Sequence, residues 1–185
     1  MSERTKHDVE IQNVVAVASL GQKIDLIAIL KIFRNVEYRP KRFPGLVFKL
    51  KYPKTTTLIF STGKMVCTGA KSEKMAKSAI SKVVRELRKE DFIIRGMQKI
   101  EIVNIVGTAD AGGEVDLEAA ADVLDNNMYE PEQFPGLIYR MEEPRVVILI
   151  FRSGKMVLTG SKSEDQVHDA VEKIRSILIE NELLY

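Results

Sequence analysis

Leu58-Ile59-Phe60-Ser61-Thr62-Gly63-Lys64-Met65-Val66-Cys67-Thr68-Gly69-Ala70-Lys71-Ser72-Glu73 is written a second time, 91 residues on, as Leu149-Ile150-Phe151-Arg152-Ser153-Gly154-Lys155-Met156-Val157-Leu158-Thr159-Gly160-Ser161-Lys162-Ser163-Glu164. The stretch reads as a β-hairpin that runs into a helix. A three-residue loop with Gly63 in the left-handed conformation pairs Leu58 with Val66. That register puts Leu58, Phe60, Val66 and Thr68 on one face and Ile59, Met65 and Cys67 on the other. Ser72 then fits a helix N-cap. The repetition extends well beyond the hairpin. Without a gap, 31 of the 77 positions from Ile11 to Leu87 are identical to their partners, among them Phe43-Pro44-Gly45-Leu46 and Phe134-Pro135-Gly136-Leu137. Repetition over that length indicates a duplicated structural unit.

The rest of each unit reads outward from the hairpin. Val9–Ala18, rich in Val and Ile, predicts a strand. Leu26, Ile29, Leu30 and Phe33 recur at helical spacing and predict a short amphipathic helix over Asp25–Phe33. Tyr38-Arg39-Pro40 and Phe43-Pro44-Gly45 break the chain around a loop. Leu46–Lys51, Thr55–Phe60 and Lys64–Gly69 predict three strands. Met75, Ala76, Ala79, Ile80, Val83 and Leu87 form an apolar helical stripe, with Lys74, Lys77, Lys82, Arg85, Arg88 and Lys89 outside it. Val167, Ala170, Val171, Ile174 and Leu178 repeat that stripe. Strands joined by short turns are antiparallel. The expected organisation is a tail over 1–8, one repeat over 9–91 and a second over 92–185. The expected class is α+β, an antiparallel sheet with helices on one face.

The strands are apolar at nearly every position, as in Asn13-Val14-Val15-Ala16-Val17 and Val146-Val147-Ile148-Leu149-Ile150-Phe151. An antiparallel sheet with helices on one side usually turns a polar face to water. Here the second face needs a cover of its own: self-association, a protein partner, or a nucleic acid with a widened groove. Arg42 lies beside Phe43. Lys49 and Arg140, Lys64 and Lys155, and Lys71 and Lys162 occupy equivalent repeat positions. An apolar floor rimmed by cations suits a bent duplex, whose phosphates meet the rim and whose sugars and bases meet the floor.

Composition narrows the classes. With 45% hydrophobic and 29% charged residues among 185, the chain can bury a core. Net charge is +2, yet residues 1–91 hold 19 Lys/Arg against 9 Asp/Glu, and residues 92–185 hold 9 against 17. Such asymmetry between halves points to function. No apolar run approaches a membrane span, and the short polar stretch Met1–Asp8 does not read as a signal peptide. The single cysteine, Cys67, fits a reducing compartment and a small buried hydrophobe. His7 and His168 fall in the tail and on a helix surface, and no Cys/His cluster offers metal ligands. Gly69-Ala70-Lys71-Ser72 lacks the full spacing of a phosphate-binding loop. Glu142-Glu143 falls in a turn. No cofactor, metal or catalytic site is expected, and the chain does not read as an enzyme.

Four segments carry a family resemblance. They are Tyr38-Arg39-Pro40-Lys41-Arg42-Phe43, Pro53-Lys54-Thr55-Thr56, Gly63 to Ser72, and Tyr129-Glu130-Pro131-Glu132-Gln133-Phe134-Pro135-Gly136-Leu137-Ile138-Tyr139-Arg140. With them the chain resembles the TATA-box-binding protein family over about residues 9 to 180. It starts almost at the core, as archaeal members do, without the long low-complexity extension of eukaryotic ones. The resemblance implies one curved sheet, a saddle, with helices on its convex side. It also implies a general transcription factor that binds and bends A·T-rich promoter DNA through the minor groove. Proteins of this family are themselves a reference case for such kinking.

The resemblance also implies roles for individual residues. Phe43 with Phe60, and Phe134 with Phe151, match the wedges that enter base steps. Asn13 and Asn104 match asparagines that donate to base acceptors, with Thr68 and Thr159 as companions. Val15, Val66, Val106, Val157, Leu58 and Leu149 match the floor that excludes a guanine amino group. Arg42, Lys49, Arg140, Lys64, Lys155, Lys71 and Lys162 fall to phosphates. Glu130 and Glu132 lie in the loop expected to dock transcription factor B, through which RNA polymerase is reached. The expected location is the cytoplasm of an archaeal cell, on the nucleoid, or the nucleus in a eukaryote. The repeats differ at Gly107 and Thr108 against Ala16 and Val17, at Gln133 against Arg42, and at Arg152-Ser153 against Ser61-Thr62. An alternative from the same residues is a protein-binding or dimerisation module, with the apolar sheet face as a homodimer seam in the absence of DNA.

Overall fold

The computed structural model describes residues 9–96 and 99–185. The tail over 1–8, with His7, lies outside the described residues. The chain divides into two compact units, one of Asn13–Val103 and one of Asn104–Tyr185 joined by the segment that precedes Asn13. In the first, β1 (Glu10–Ser19) leads to α1 (Leu26–Ile32), β2 (Val36–Glu37), β3 (Leu46–Leu50), β4 (Thr55–Ile59), β5 (Lys64–Ala70) and α2 (Glu73–Lys89). In the second, β6 (Glu101–Asp110), α3 (Leu117–Val123), β7 (Asn127–Met128), β8 (Leu137–Met141), β9 (Val146–Ile150), β10 (Lys155–Ser161) and α4 (Glu164–Glu180) follow in the same order. The strand orders are β2-β3-β4-β5-β1 and β7-β8-β9-β10-β6. Pairing of β3 with β4 and of β8 with β9 is antiparallel, as are the ladders of β5 and β10 with their neighbours. The class is α+β, built twice.

The hairpin has the expected register. Leu58 pairs with Val66 and Ile59 with Met65. The Phe60 N–H donates to the Lys64 carbonyl at 2.9 Å, the Gly63 N–H donates to Phe60 at 2.8 Å, and Gly63 has φ +90°. Ile59, Met65 and Cys67 are fully buried under the helices, whereas Leu58, Phe60, Val66 and Thr68 are half-buried. Strand β1 alternates in the same way. Val14, Ala16 and Ala18 are buried, and Asn13, Val15 and Val17 are half-exposed. Composition hides this alternation because both faces of the strand are apolar.

The helices start where short polar side chains can cap them. Asp25 accepts from the Ile27 and Ala28 N–H groups, and Ser72 and Ser163 accept from Met75 at 3.0 Å and Gln166 at 3.2 Å. Each cap satisfies a donor that the first turn leaves open. Helix α2 buries Ala76, Ala79, Ile80, Val83, Val84 and Leu87, and α4 buries Val167, Ala170, Val171, Ile174 and Leu178. Each large aliphatic side chain buried this way stabilises by about 1.5–3 kcal/mol. In the first unit Phe33 closes the core against Phe48, with ring centroids 5.1 Å apart.

Some details depart from expectation. Leu30 belongs to the apolar pattern of α1 but is 40% exposed, because Leu26 and Ile29 already fill the contact with the sheet. Met75 is only half-buried, Val84 joins the buried stripe, and Lys82 is half-buried with its ammonium donating to the Tyr52 carbonyl. The two-residue strands β2 and β7 are too short to show a period. Gly107, in place of Ala16, has a packing reason. A Cβ there would lie 2.9 Å from Val167 Cγ1, while the first unit has the smaller Ala76 at the position of Val167. Volume has moved from strand to helix. Burial raises the pKa of the Cys67 thiol, with the Thr57 and Thr55 hydroxyls opposing, so it stays protonated inside the core.

Candidate nucleic-acid interface

The half-buried side chains of the helix-free face fall into rows across the strands. In the first unit one row runs Val47, Leu58, Val66, Val17, and in the second its counterpart runs Ile138, Leu149, Val157, Thr108. The next row begins at Lys49 and passes through Thr56 to Thr68, and its counterpart runs Arg140, Val147, Thr159. Val15 and Val106 are half-buried on β1 and β6. The floor residues therefore share a face within each unit, and a cation ends one row on β3 and on β8.

The asparagines sit at β-bulges. In the β1–β5 ladder Val14 pairs with Ala70 but Ala16 pairs with Cys67, so β5 carries one extra residue. The same shift separates Ile105–Ser161 from Gly107–Leu158. Gly69 and Gly160 hold the left-handed conformation that such a bulge requires, at φ +93° and +96°. Their N–H groups donate to Asn13 Oδ1 and Asn104 Oδ1, both at 2.7 Å. Asn13 Nδ2 donates to Thr68 Oγ1 at 3.0 Å, and Asn104 Nδ2 to Thr159 Oγ1 at 3.4 Å. Each amide carbonyl is thus pinned by backbone, which fixes the flip of the side chain. The second hydrogen on Nδ2 remains available for donation amid half-buried apolar side chains.

The four phenylalanines form two edge-to-face pairs. Phe43 and Phe60 have centroids 5.8 Å apart at 68°, and Phe134 and Phe151 have 5.8 Å at 69°. Each loop is braced by its backbone: Phe43 N–H donates to Arg39 at 3.0 Å, and Phe134 N–H to Glu130 at 2.9 Å. Two glycines set the ring positions. A Cβ on Gly45 would lie 2.6 Å from Phe43 Cε1 and 3.1 Å from Phe60 Cε1; on Gly136 it would lie 2.8 and 3.1 Å from the matching atoms of Phe134 and Phe151. In the sequence Gly45 and Gly136 look like ordinary loop breakers, and their recurrence two residues after each Phe is the signal of this packing role.

Arg42, Lys49, Lys64, Lys71, Arg140, Lys155 and Lys162 are all exposed. Lys49 and Lys71 line one shallow depression of about 530 Å³ with Thr56 and Thr68, and Lys54 joins them there. The corresponding depression in the second unit is mixed, with Arg140 and Arg145 beside Asp125, Glu142 and Glu143. Lys54 and Arg145 are equivalent by repeat and were not singled out from the sequence. Glu130 and Glu132 are exposed, as are Glu142 and Glu143. Among the described residues no group of His, Cys, Asp and Glu could hold a metal, and no helix is long and apolar enough to cross a membrane.

A duplicated antiparallel unit with a floor of aliphatic rows, a bulge-held asparagine and an edge-to-face pair of phenylalanines defines a two-repeat sheet protein with the same half-buried apolar face in each repeat. The family model described as "Transcription factor TFIID (or TATA-binding protein, TBP)" matches it twice, over residues 8–90 and 99–181. The chain belongs to that family of transcription factors and is not an enzyme. It is 55% identical over 172 residues to the TATA-box-binding protein of Sulfolobus acidocaldarius, covering 93% of this chain and 87% of that one. It is 48% identical over 180 residues to the TATA-box-binding protein of Methanothermobacter thermautotrophicus, covering 97% of this chain and 99% of that one. Among solved structures, Methanococcus jannaschii TBP matches with a TM-score of 0.83 and 46% identity, over 93% of this chain and 98% of that one.

Proposed function

We propose that the chain is a general transcription factor that binds A·T-rich promoter DNA through the minor groove and bends it. The observation that carries this reading is the bulge-held amide at Asn13 and Asn104, a fixed donor in an apolar floor. The A·T minor groove offers only acceptors, which such donors match. Val15, Leu58 and Val66, with Val106, Leu149 and Val157, leave no acceptor for a guanine amino group. Phe43 with Phe60, and Phe134 with Phe151, enter the base steps at the ends of the site. The exposed cations Arg42, Lys49, Lys64, Lys71, Arg140, Lys155 and Lys162 take phosphates. Repeats over 9–91 and 92–185 each serve one half of the site. In the cell the complex recruits transcription factor B and, through it, RNA polymerase, in the archaeal cytoplasm on the nucleoid.

Inosine–cytosine pairs present a minor groove like that of A·T but a different major groove. A duplex with that replacement keeps full affinity on this reading, and a G·C duplex loses it. Loss of binding to the inosine duplex would assign recognition to the major groove and overturn the proposal. The half-buried aliphatic rows of the helix-free face favour a second state. Without DNA, two copies pair through the same face, since a free patch of this kind tends to be covered. Sedimentation then shows a dimer that an A·T-rich duplex dissociates, and a monomer at all concentrations would sink the idea.

A further inference from the structure

Helix α1 carries a second apolar surface, on the side turned from the sheet. Leu26 and Ile29 are buried, but Ile27 is 56% exposed and Leu30 40% exposed. The two stand three residues apart and so share one side of the helix. Lys31 stands four after Ile27 on the same helix, while Lys23 lies just before the N-cap and Arg34 just after the C-cap, and all three are exposed. Within residues 20–35 the one acid is Asp25, and its carboxylate caps the helix. The strap after α2 lies against the start of this segment. Gln22 Nε2 donates to the Ile93 carbonyl at 2.6 Å, and the Arg95 N–H to Gln22 Oε1 at 3.3 Å. That strap adds Ile93, 78% exposed, and another cation.

The second repeat shows that the fold does not need these residues. Helix α3 has the same length and the same type of cap. At the positions of Lys23, Ile27, Leu30, Lys31 and Arg34 it carries Glu114, Glu118, Ala121, Asp122 and Asp125. Its Glu118 is engaged within its own unit by Arg152 at 2.8 Å and by the Tyr129 hydroxyl at 3.4 Å. Where α3 is acidic, with Glu118 already paired to Arg152, α1 offers two aliphatic side chains flanked along the chain by cations.

We propose that this face of α1 docks an acidic amphipathic segment of a partner protein. Its leucine-like side chains would cover Ile27 and Leu30, and its carboxylates would meet Lys23, Lys31 and Arg34. Phosphates would use the cations but leave the aliphatic pair wet, so nucleic acid fits less well. The α3 face of a second copy has the charge but only Ala121 to set against Ile27 and Leu30. Association of this kind is steered by charge and held by the apolar anchors.

The test uses the full chain, isotopically labelled, and a fluorescent helical peptide of about sixteen residues. Leucines lie on one face of the peptide and glutamates elsewhere. A control peptide has serine in place of leucine. The expected result is saturable binding that shifts amide resonances over Ile27–Arg34, with the serine control weaker by about tenfold or more. Ile27→Glu with Leu30→Ala, which copies α3, lowers affinity for the leucine peptide by a similar factor and leaves binding to an A·T-rich duplex unchanged. Equal affinity for both peptides, shifts confined to β4 and β5, or undiminished binding by the double variant would overturn the proposal. Concentration-dependent shifts on α1 and α3 without peptide would assign the face to a second copy and overturn it equally.

Discussion

Asn13 serves the fold with one end of its amide and faces outward with the other. Its Oδ1 receives the bulge N–H of Gly69, while Nδ2 holds Thr68, and the other Nδ2 hydrogen goes, in the proposed function, to a base acceptor. Asn13→Asp separates the two roles. The carboxylate still accepts from Gly69 and Thr68 but donates nothing and adds charge. Thermal stability should therefore change by no more than about 1 kcal/mol, while affinity for A·T-rich duplex falls at least about tenfold. A variant that binds normally would remove Asn13 from recognition. Gly45 poses a different question, because its missing Cβ makes room for two rings. Gly45→Ala places a methyl 2.6 Å from Phe43 Cε1, the far edge of a partly exposed side chain. The ring can swing aside, so the fold should lose only about 1 kcal/mol, but the wedge is displaced. Reduced DNA bending by end-to-end fluorescence transfer, with an almost unchanged melting temperature, is the expected outcome. Full bending would show that the wedge tolerates the shift.

At the scale of elements, the strands supply cations in register. Lys49 and Arg140 end equivalent rows on β3 and β8, opposite the half-buried Thr56 and Val147. Neutralising either, as in Lys49→Gln or Arg140→Gln, should lower the slope of log K against log salt by about 0.9. Sequence preference should barely move, because phosphate contacts position without specifying. An unchanged slope would mean that the side chain points elsewhere when DNA is bound. These elements were largely legible from sequence, because the hairpin offers two independent cues: a loop glycine that sets the register and a recurrence 91 residues on. The face assignment of β4 and β5 followed from them. What stayed hidden had physical reasons. Bulges leave no composition signature, so Gly69 and Gly160 looked like ordinary strand ends. Strands β2 and β7, two residues each, are shorter than any period. The outward turn of Leu30 depends on how much space α1 leaves above the sheet, which the helical spacing alone does not fix. The partnership of Gly45 with two rings comes from chain segments fifteen residues apart, Gly45 and Phe60, meeting across a strand pair.

For the whole molecule the question is direction. Two equivalent repeats on a near-palindromic A·T site have little means of choosing an orientation, whereas transcription proceeds one way. The two loops that end in Phe43 and Phe134 have the same backbone: Phe43 bonds back to Arg39 and Phe134 back to Glu130 at 3.0 and 2.9 Å. Their chemistry is opposite. The first is Arg39-Pro40-Lys41-Arg42, with Arg39 paired to Glu37 at 2.8 Å, and the second is Glu130-Pro131-Glu132-Gln133, with exposed Met128 at the position of Glu37. The conformation is the same, so charge and an exposed Met128 are what a partner can read. Isolated surface charges contribute only about 0–1 kcal/mol to a fold, and among the described residues the second loop is held by backbone bonds to the Glu130 carbonyl rather than by its carboxylates. Complementary charges do, however, raise association rates and reject inverted poses. Glu130 and Glu132 are therefore expected to receive a basic surface of transcription factor B, while Lys41 and Arg42 stay near phosphate. Glu130→Lys with Glu132→Lys should weaken the ternary complex on promoter DNA by at least about tenfold. The same variant should bind DNA alone as well as the parent or slightly better, since it gains cations. Gel shifts with and without the factor, read at two salt concentrations, separate these effects. A ternary complex of normal affinity would place docking elsewhere and leave the charge difference between the loops without this role.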